Sequence, residues 1–167
     1  MHLLAPLVRL AEPWAQLYGN VPAIQTATAF AHFGGLLLGG GFAIAADGAT
    51  IRAARRHETR RRRQLAYIHG VHRLVLVGLG LTFASGLLLF AADVESLAAS
   101  PVFWAKMAVV ALLLVNGGVM ARTESSLRAG NSDVERGWRR LRVAAACSFA
   151  LWFAALLAGT LLVNAGQ

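Results

Sequence analysis

The chain has 167 residues, of which 57% are hydrophobic and 14% charged, with a mean hydropathy of +0.56; this is too apolar for a water-facing surface and excludes an ordinary soluble domain. The net charge of +8 makes the placement of the arginines the first question, because the same charge on a soluble chain would suggest nucleic-acid binding. A single cysteine, Cys147, excludes a disulfide framework and any multi-cysteine metal site.

The first predicted element covers residues 3–18. Leu3, Leu4, Leu7, Ala11, Trp14 and Tyr18 recur at helical spacing, with His2, Arg9, Glu12 and Gln16 between them. That pattern predicts a short amphipathic segment lying on the outer membrane face. Pro6 and Pro13 argue against one unbroken helix there. Arg9 and Glu12 interrupt the apolar stretch and no cluster of positive charge precedes it, unlike a cleavable signal peptide.

Four apolar runs follow, at 23–46, 68–92, 102–121 and 143–163. Each reaches the roughly 20 residues needed to cross about 30 Å of hydrocarbon. The prediction is an all-α polytopic membrane protein, a four-transmembrane-helix bundle that forms one domain over residues 1–167. Barrel strands alternate over about ten residues, and these runs do not alternate. Pro22 and Pro101 stand at the starts of the first and third spans, where a missing N–H does no harm. Asp47 and Gly48 mark the expected end of the first span, and Gly130, Asn131, Ser132 and Asp133 the centre of a solvated loop.

Thirteen of the sixteen basic residues lie in two connectors. Arg52, Arg55, Arg56 and Arg60 to Arg63 fall in one; Arg122, Arg128, Arg136, Arg139, Arg140 and Arg142 fall in the other. The positive-inside rule makes these connectors cytoplasmic. The connector at 93–100 carries Asp93 and Glu95 and no basic residue, so it belongs on the outer side together with both termini. This topology explains the basic charge, and no nucleic-acid partner is expected.

Polar residues inside the spans carry the functional signal, because an ionisable group in hydrocarbon costs several kcal/mol unless paired or ligated. His32 lies roughly 5 Å to the outer side of its helix midpoint. Gln25, Thr28, Gly35 and Gly39 share its face at steps of three and four. Two readings stand: the glycines leave room for a flat macrocycle ligated by His32, or they admit a neighbouring helix to which His32 hydrogen-bonds. Lys106, the only lysine of the chain, lies roughly 7 to 8 Å outward of its own midpoint, a depth similar to that of His32. It either faces the same site or snorkels to the headgroups beside Phe103 and Trp104.

His69 and His72 are one turn apart near the cytoplasmic end of the second span, with Arg73 beside them. His32 and His72 differ in depth by roughly 16 Å, which disfavours one haem bridging the two. A second site near the inner face would use His72 or His69, with Arg73 pairing an acidic group such as a propionate. The fourth span, with Cys147, Ser148, Trp152 and Thr160, reads as a packing and lipid-facing helix. Asn116, Gly117 and Gly118 suggest a close helix contact in which the amide needs a partner.

Three segments carry a resemblance. They are Ala31-His32-Phe33-Gly34-Gly35 followed by Asp47 and Arg52, Ser85-Gly86-Leu87-Leu88-Leu89-Phe90, and Pro101-Val102-Phe103-Trp104-Ala105-Lys106-Met107. From about residue 23 to residue 121 the chain resembles bacterial four-helix membrane families that are similar to the copper-resistance D family and to the haem-binding J-type protoporphyrinogen oxidase. The resemblance to the J-type family implies haem binding that involves a histidine of the first helix and a lysine of the third, here His32 and Lys106.

The expected function is therefore that of a b-type haem protein of the bacterial inner membrane, acting in redox chemistry or electron transfer, with a quinone or membrane redox protein as partner. The expectation leaves open whether it is itself a membrane oxidoreductase. One alternative is a copper-handling membrane protein that uses histidines such as His32 and His72 without haem, although Met1, Met107 and Met120 are scattered and make no metal tract. The other is a non-catalytic subunit or scaffold that forms a homodimer or larger complex through its glycine-rich helix faces.

Overall fold

The computed structural model describes residues 4–54, 58–130 and 133–165. Met1, His2, Leu3, Arg55, Arg56, Asn131 and Ser132, named above, lie outside these residues, as do the side chains of Arg60 and His69. The elements are α1 (Ala5–Asn20), α2 (Pro22–Ala53), α3 (Glu58–Ala92), α4 (Val94–Ala99), α5 (Pro101–Arg128) and α6 (Val134–Ala165), with no strand among the described residues. Four of these, α2, α3, α5 and α6, are long and apolar enough to cross a membrane. The all-α membrane bundle expected from the apolar runs is what the chain forms.

The spanning helices are longer than the apolar runs that predict them. At 32, 35, 28 and 32 residues they exceed a bilayer crossing by about two to four turns. Those extra turns hold the arginines, so Arg61 to Arg63, Arg122, Arg128 and Arg136 to Arg142 ride on helices rather than on loops. Asp47 and Gly48 do not end the first span, since α2 continues to Ala53. The reason is burial: Asp47 is 3% exposed and Thr50 is fully enclosed, so the helix carries its polar residues into the bundle instead of stopping at them. At the far end of α5, Gly130 takes a positive φ of 68°, the left-handed conformation that commonly ends a helix.

The amphipathic segment is one unbroken helix, contrary to the expectation from its prolines. Pro13 is accommodated inside α1 on its exposed side, where the carbonyl it leaves unbonded is not trapped. The helix contributes no buried residue and lies against α3, α2 and α4. Trp14 Nε1 donates to the Leu88 carbonyl at 2.8 Å, and Gln25 Nε2 donates to the Tyr18 carbonyl at 2.8 Å, which fixes the corner between α1 and α2. The acidic connector contains α4, capped by Asp93, whose carboxylate accepts from the Ser96 amide at 3.2 Å. Ser100 does the same for α5 through the Phe103 amide at 3.3 Å.

Helix α2 packs against α3 on one side and α6 on the other, and α6 packs against α5. Helices α3 and α5 do not pack along their lengths among the described residues. They meet near their ends, where Phe90 stacks on Phe103 with centroids 5.3 Å apart and Arg128 donates to the Leu65 carbonyl. At the arginine-rich end a small core of Ala53, Trp138 and Leu141 is enclosed by Ala54, Leu65, Ile68, Met120 and Leu127. Arg61 closes it, with its guanidinium 5.5 Å over the Trp138 ring and an ion pair to Glu135.

Candidate functional site

Glycine sets the geometry of the α2–α3 seam. A Cβ placed on Gly35 would stand 2.5 Å from Thr82 Oγ1 and 2.7 Å from the Thr82 amide nitrogen, and one on Gly39 would stand 3.1 Å from the Leu79 amide nitrogen. Gly78 meets Gly39 from the other side. The two backbones are therefore in direct contact, and each step along α2 is matched by an equal step back along α3. Gly39 lies against Gly78, Gly35 against Thr82, and one turn further His32 against Ser85. Of the two readings of this glycine face, helix contact is the one seen, since α3 fills the space against Gly35 and Gly39. Gln25, on the same face of α2, has its amide committed to α1.

His32 Nδ1 lies 3.1 Å from Ser85 Oγ, and its ring edge rests on Gly86, where a Cβ would stand 3.4 Å from Cε1. Ser85 Oγ also lies 2.7 Å from the Leu81 carbonyl and 3.1 Å from the Thr82 carbonyl of its own helix. A hydroxyl proton directed to either carbonyl leaves the serine to accept from Nδ1, whereas one directed to the ring makes Nδ1 the acceptor, so the direction of this bond follows the tautomer.

Lys106 reaches the same level from α5. Its Nζ would stand 3.8 Å from a Cβ on Gly159 of α6, and its charge acts on His32. Gly40 of α2 faces Trp152 of α6; Gly159 lies two turns beyond Trp152, and His32 lies about as far beyond Gly40 in the same direction, because these helices run antiparallel. Both groups are half-buried. Among the described residues, no carboxylate pairs with Lys106. The fourth span, expected as a packing and lipid-facing helix, packs on α5 and α2 and presents a bare position to the lysine.

The remaining expectations divide. His72 and Arg73 are exposed on α3, and His72 lies about 20 Å along that helix from Ser85, so it is not brought to His32. His69 belongs to α3, with its side chain outside the described residues. Asn116 has its partner: Nδ2 donates to the Ala144 carbonyl of α6 at 2.9 Å. Gly117 and Gly118 face no neighbour within 4 Å, so the close contact is the amide's alone. Among the described residues, no group of three or more His, Cys, Asp or Glu side chains could hold a metal ion.

Asp47 was missed as an inward-facing residue. It sits between α2 and α6 with Ser148 as its side-chain hydrogen-bond partner, and its Oδ2 has none. Nearby, Gln64 Nε2 donates to Thr50 Oγ1 at 3.1 Å and to the Ala46 carbonyl at 3.3 Å. The available signal was Thr50, three residues beyond Asp47 and on the same helical face.

Comparison with protein-family models, with characterised proteins and with solved structures finds no match. The functional reading rests on the side chains themselves. Cavities of about 520 Å³ and 470 Å³ lie at the arginine-rich end, and neither is lined by His32 or Lys106.

Proposed function

We propose that the chain is a bacterial inner-membrane protein that binds b-type haem within its helical bundle and works in redox chemistry or electron transfer, with His32 as the residue that would hold the iron. The observation that carries this reading is the contact between His32 and Ser85. A ligating imidazole has its second nitrogen held by an acceptor, and the Ser85 hydroxyl oxygen, 3.1 Å from Nδ1, would be that acceptor with Nε2 as the ligating nitrogen. Lys106, without a carboxylate among the described residues, supplies a counter-charge for an acidic group of the bound molecule such as a propionate. Haem would supply the one-electron chemistry, and the chain the ligand, the charge and the surroundings that tune it.

With the α2–α3 seam closed, such a group would lie on the side of His32 towards α5, since α3 and α5 do not pack along their lengths among the described residues. A quinone or a membrane redox protein would be the electron partner. The arginine-rich end would face the cytoplasm, with both termini on the outer side.

The visible spectrum of the detergent-purified chain tests the reading. A Soret band that sharpens on reduction is expected, and its absence from protein made in haem-replete cells overturns the proposal. Bound copper without that band would support the metal-handling alternative. Neither would leave a scaffold, whose contacts between copies would need open positions such as Gly117 and Gly118 because Gly35, Gly39 and Gly78 are used within the chain.

A further inference from the structure

One stripe of α6 changes character along its length. Arg136, Arg139, Arg140, Val143, Ala144 and Cys147 follow one another at alternating steps of three and one, which places them on a single helix face. The first three are arginines, and the rest are apolar or carry the thiol. Asn116 and Val119 of α5 form the opposite wall, and together these residues enclose the cavity of about 470 Å³. The Asn116 amide is already bonded to the Ala144 carbonyl across the floor, so that polar group makes no demand on an occupant.

The charges at the head of this groove are not neutralised by any of the described residues. Arg136, Arg139 and Arg140 are exposed, and no carboxylate pairs with their guanidinium groups among the described residues. The two acids nearest in sequence are engaged: Glu135 pairs with Arg61, and Asp133 Oδ1 accepts from the Glu135 and Arg136 amides. Both line the neighbouring 520 Å³ cavity together with Arg136 and Arg139, so that hollow is of mixed charge, whereas arginines are the only charged residues lining the 470 Å³ groove.

We propose that this groove holds one anionic phospholipid, with its phosphodiester among Arg136, Arg139 and Arg140 and an acyl chain along Val143, Ala144 and Cys147. Guanidinium groups match phosphate oxygens in geometry as well as in charge. Cys147 lies about 10 Å along the helix from Arg140, within the half-thickness of about 15 Å that one leaflet's hydrocarbon provides. Free phosphate gains nothing from the apolar wall. A zwitterionic lipid fills that wall but brings its own cation to the arginines. The site is independent of the haem reading, because it shares no residue with His32, Ser85 or Lys106.

Cys147, the sole cysteine and exposed in the groove, is the reporter. The full chain is reconstituted in phosphatidylcholine vesicles and in vesicles where part of that lipid is replaced by phosphatidylglycerol, and alkylation of Cys147 by a small uncharged maleimide is timed. Phosphatidylglycerol should slow the reaction several-fold. Inorganic phosphate added to phosphatidylcholine vesicles should not. The double variant Arg139→Gln, Arg140→Gln should lose the protection, while Arg122→Gln, an exposed arginine outside the groove, should keep it. Native mass spectrometry of the unaltered chain should show a retained phosphatidylglycerol in preference to phosphatidylcholine, a readout that does not depend on any variant folding. Equal alkylation rates in the two vesicle types, protection that persists in the double variant, or protection by phosphate alone would each overturn the assignment.

Discussion

His32 Nδ1 and Ser85 Oγ stand 3.1 Å apart across the α2–α3 seam, and Ser85 Oγ is also 2.7 Å from the Leu81 carbonyl of its own helix. This pair orients the ring, and with the serine proton directed to that carbonyl Nε2 is the nitrogen free to ligate. If Nε2 is the ligand, Ser85→Ala should keep haem binding but weaken it by about 10- to 100-fold, the usual loss when the partner of a ligating histidine is removed. His32→Ala should abolish retention and His72→Ala should not affect it. Haem titration of the purified apoprotein measures all three. Unchanged affinity in Ser85→Ala would remove the tautomer argument, and full retention in His32→Ala the ligand itself.

Lys106 separates a bound-group role from snorkelling. Its ammonium is placed against Gly159 and its charge acts on His32, so the bulk of the next side chain matters. Arginine reaches headgroups as well as lysine does, but a planar guanidinium is larger than the space a glycine leaves for an ammonium. Lys106→Arg and Lys106→Met should therefore both lower haem content, to a similar degree. Normal haem content in the arginine variant would return Lys106 to the membrane interface.

The spans were legible because hydrocarbon demands long apolar runs, and hydropathy reports those directly. Their true ends were not. Helix α2 passes through Asp47 because Ser148 and the α6 face receive it, a tertiary fact with no local signature. The common depth of His32 and Lys106 followed from the rise per residue, which is a property of the helix alone. Ser85 as the partner of His32 needed the register of α2 against α3, and Gly35, Gly39 and Gly78 set it. Glycines alone did not reveal whether they faced a cofactor or a helix.

Gly35 tests that seam. A methyl there would meet the Thr82 amide nitrogen at 2.7 Å and the Gly78 carbonyl oxygen at 2.9 Å, and backbone atoms cannot turn aside as a side chain can. Gly35→Ala should destabilise the bundle by about 1–3 kcal/mol, the range for overpacking. Gly34→Ala, with nothing within 4 Å, should be neutral or stabilising by up to about 1 kcal/mol from helix propensity. Thermal unfolding in one detergent compares them. Equal melting temperatures would mean that the helices are not in contact at Gly35.

Asp47 is buried with Ser148 as hydrogen-bond partner and one oxygen without any. Asparagine keeps the size and an accepting oxygen while removing the ionisable group, so Asp47→Asn should unfold at or above the temperature of the parent chain. Ser148→Ala leaves the carboxyl without its donor and should cost about 1–3 kcal/mol. Unfolding in detergent reads both. A large loss in Asp47→Asn with none in Ser148→Ala would show that the bundle uses the carboxylate's charge and not this hydrogen bond.

Topology follows from the charge asymmetry between the two ends. Arg61 to Arg63, Arg122, Arg128, Arg136, Arg139, Arg140 and Arg142 gather on the extended ends of α3, α5 and α6, whereas the connector at 93–100 has Asp93 as the N-cap of α4, Glu95 in its first turn and no basic residue. Arginines near span ends are retained on the cytoplasmic side, while acidic residues contribute little to orientation. With Cys147 replaced by Ala, single cysteines at the exposed Ser96 and Ser125 report the two sides. In intact spheroplasts a membrane-impermeant maleimide should label Ser96→Cys at once and Ser125→Cys only after lysis. The reverse pattern would invert the molecule, carry the His32–Lys106 level to the inner half of the membrane, and turn both termini to the cytoplasm.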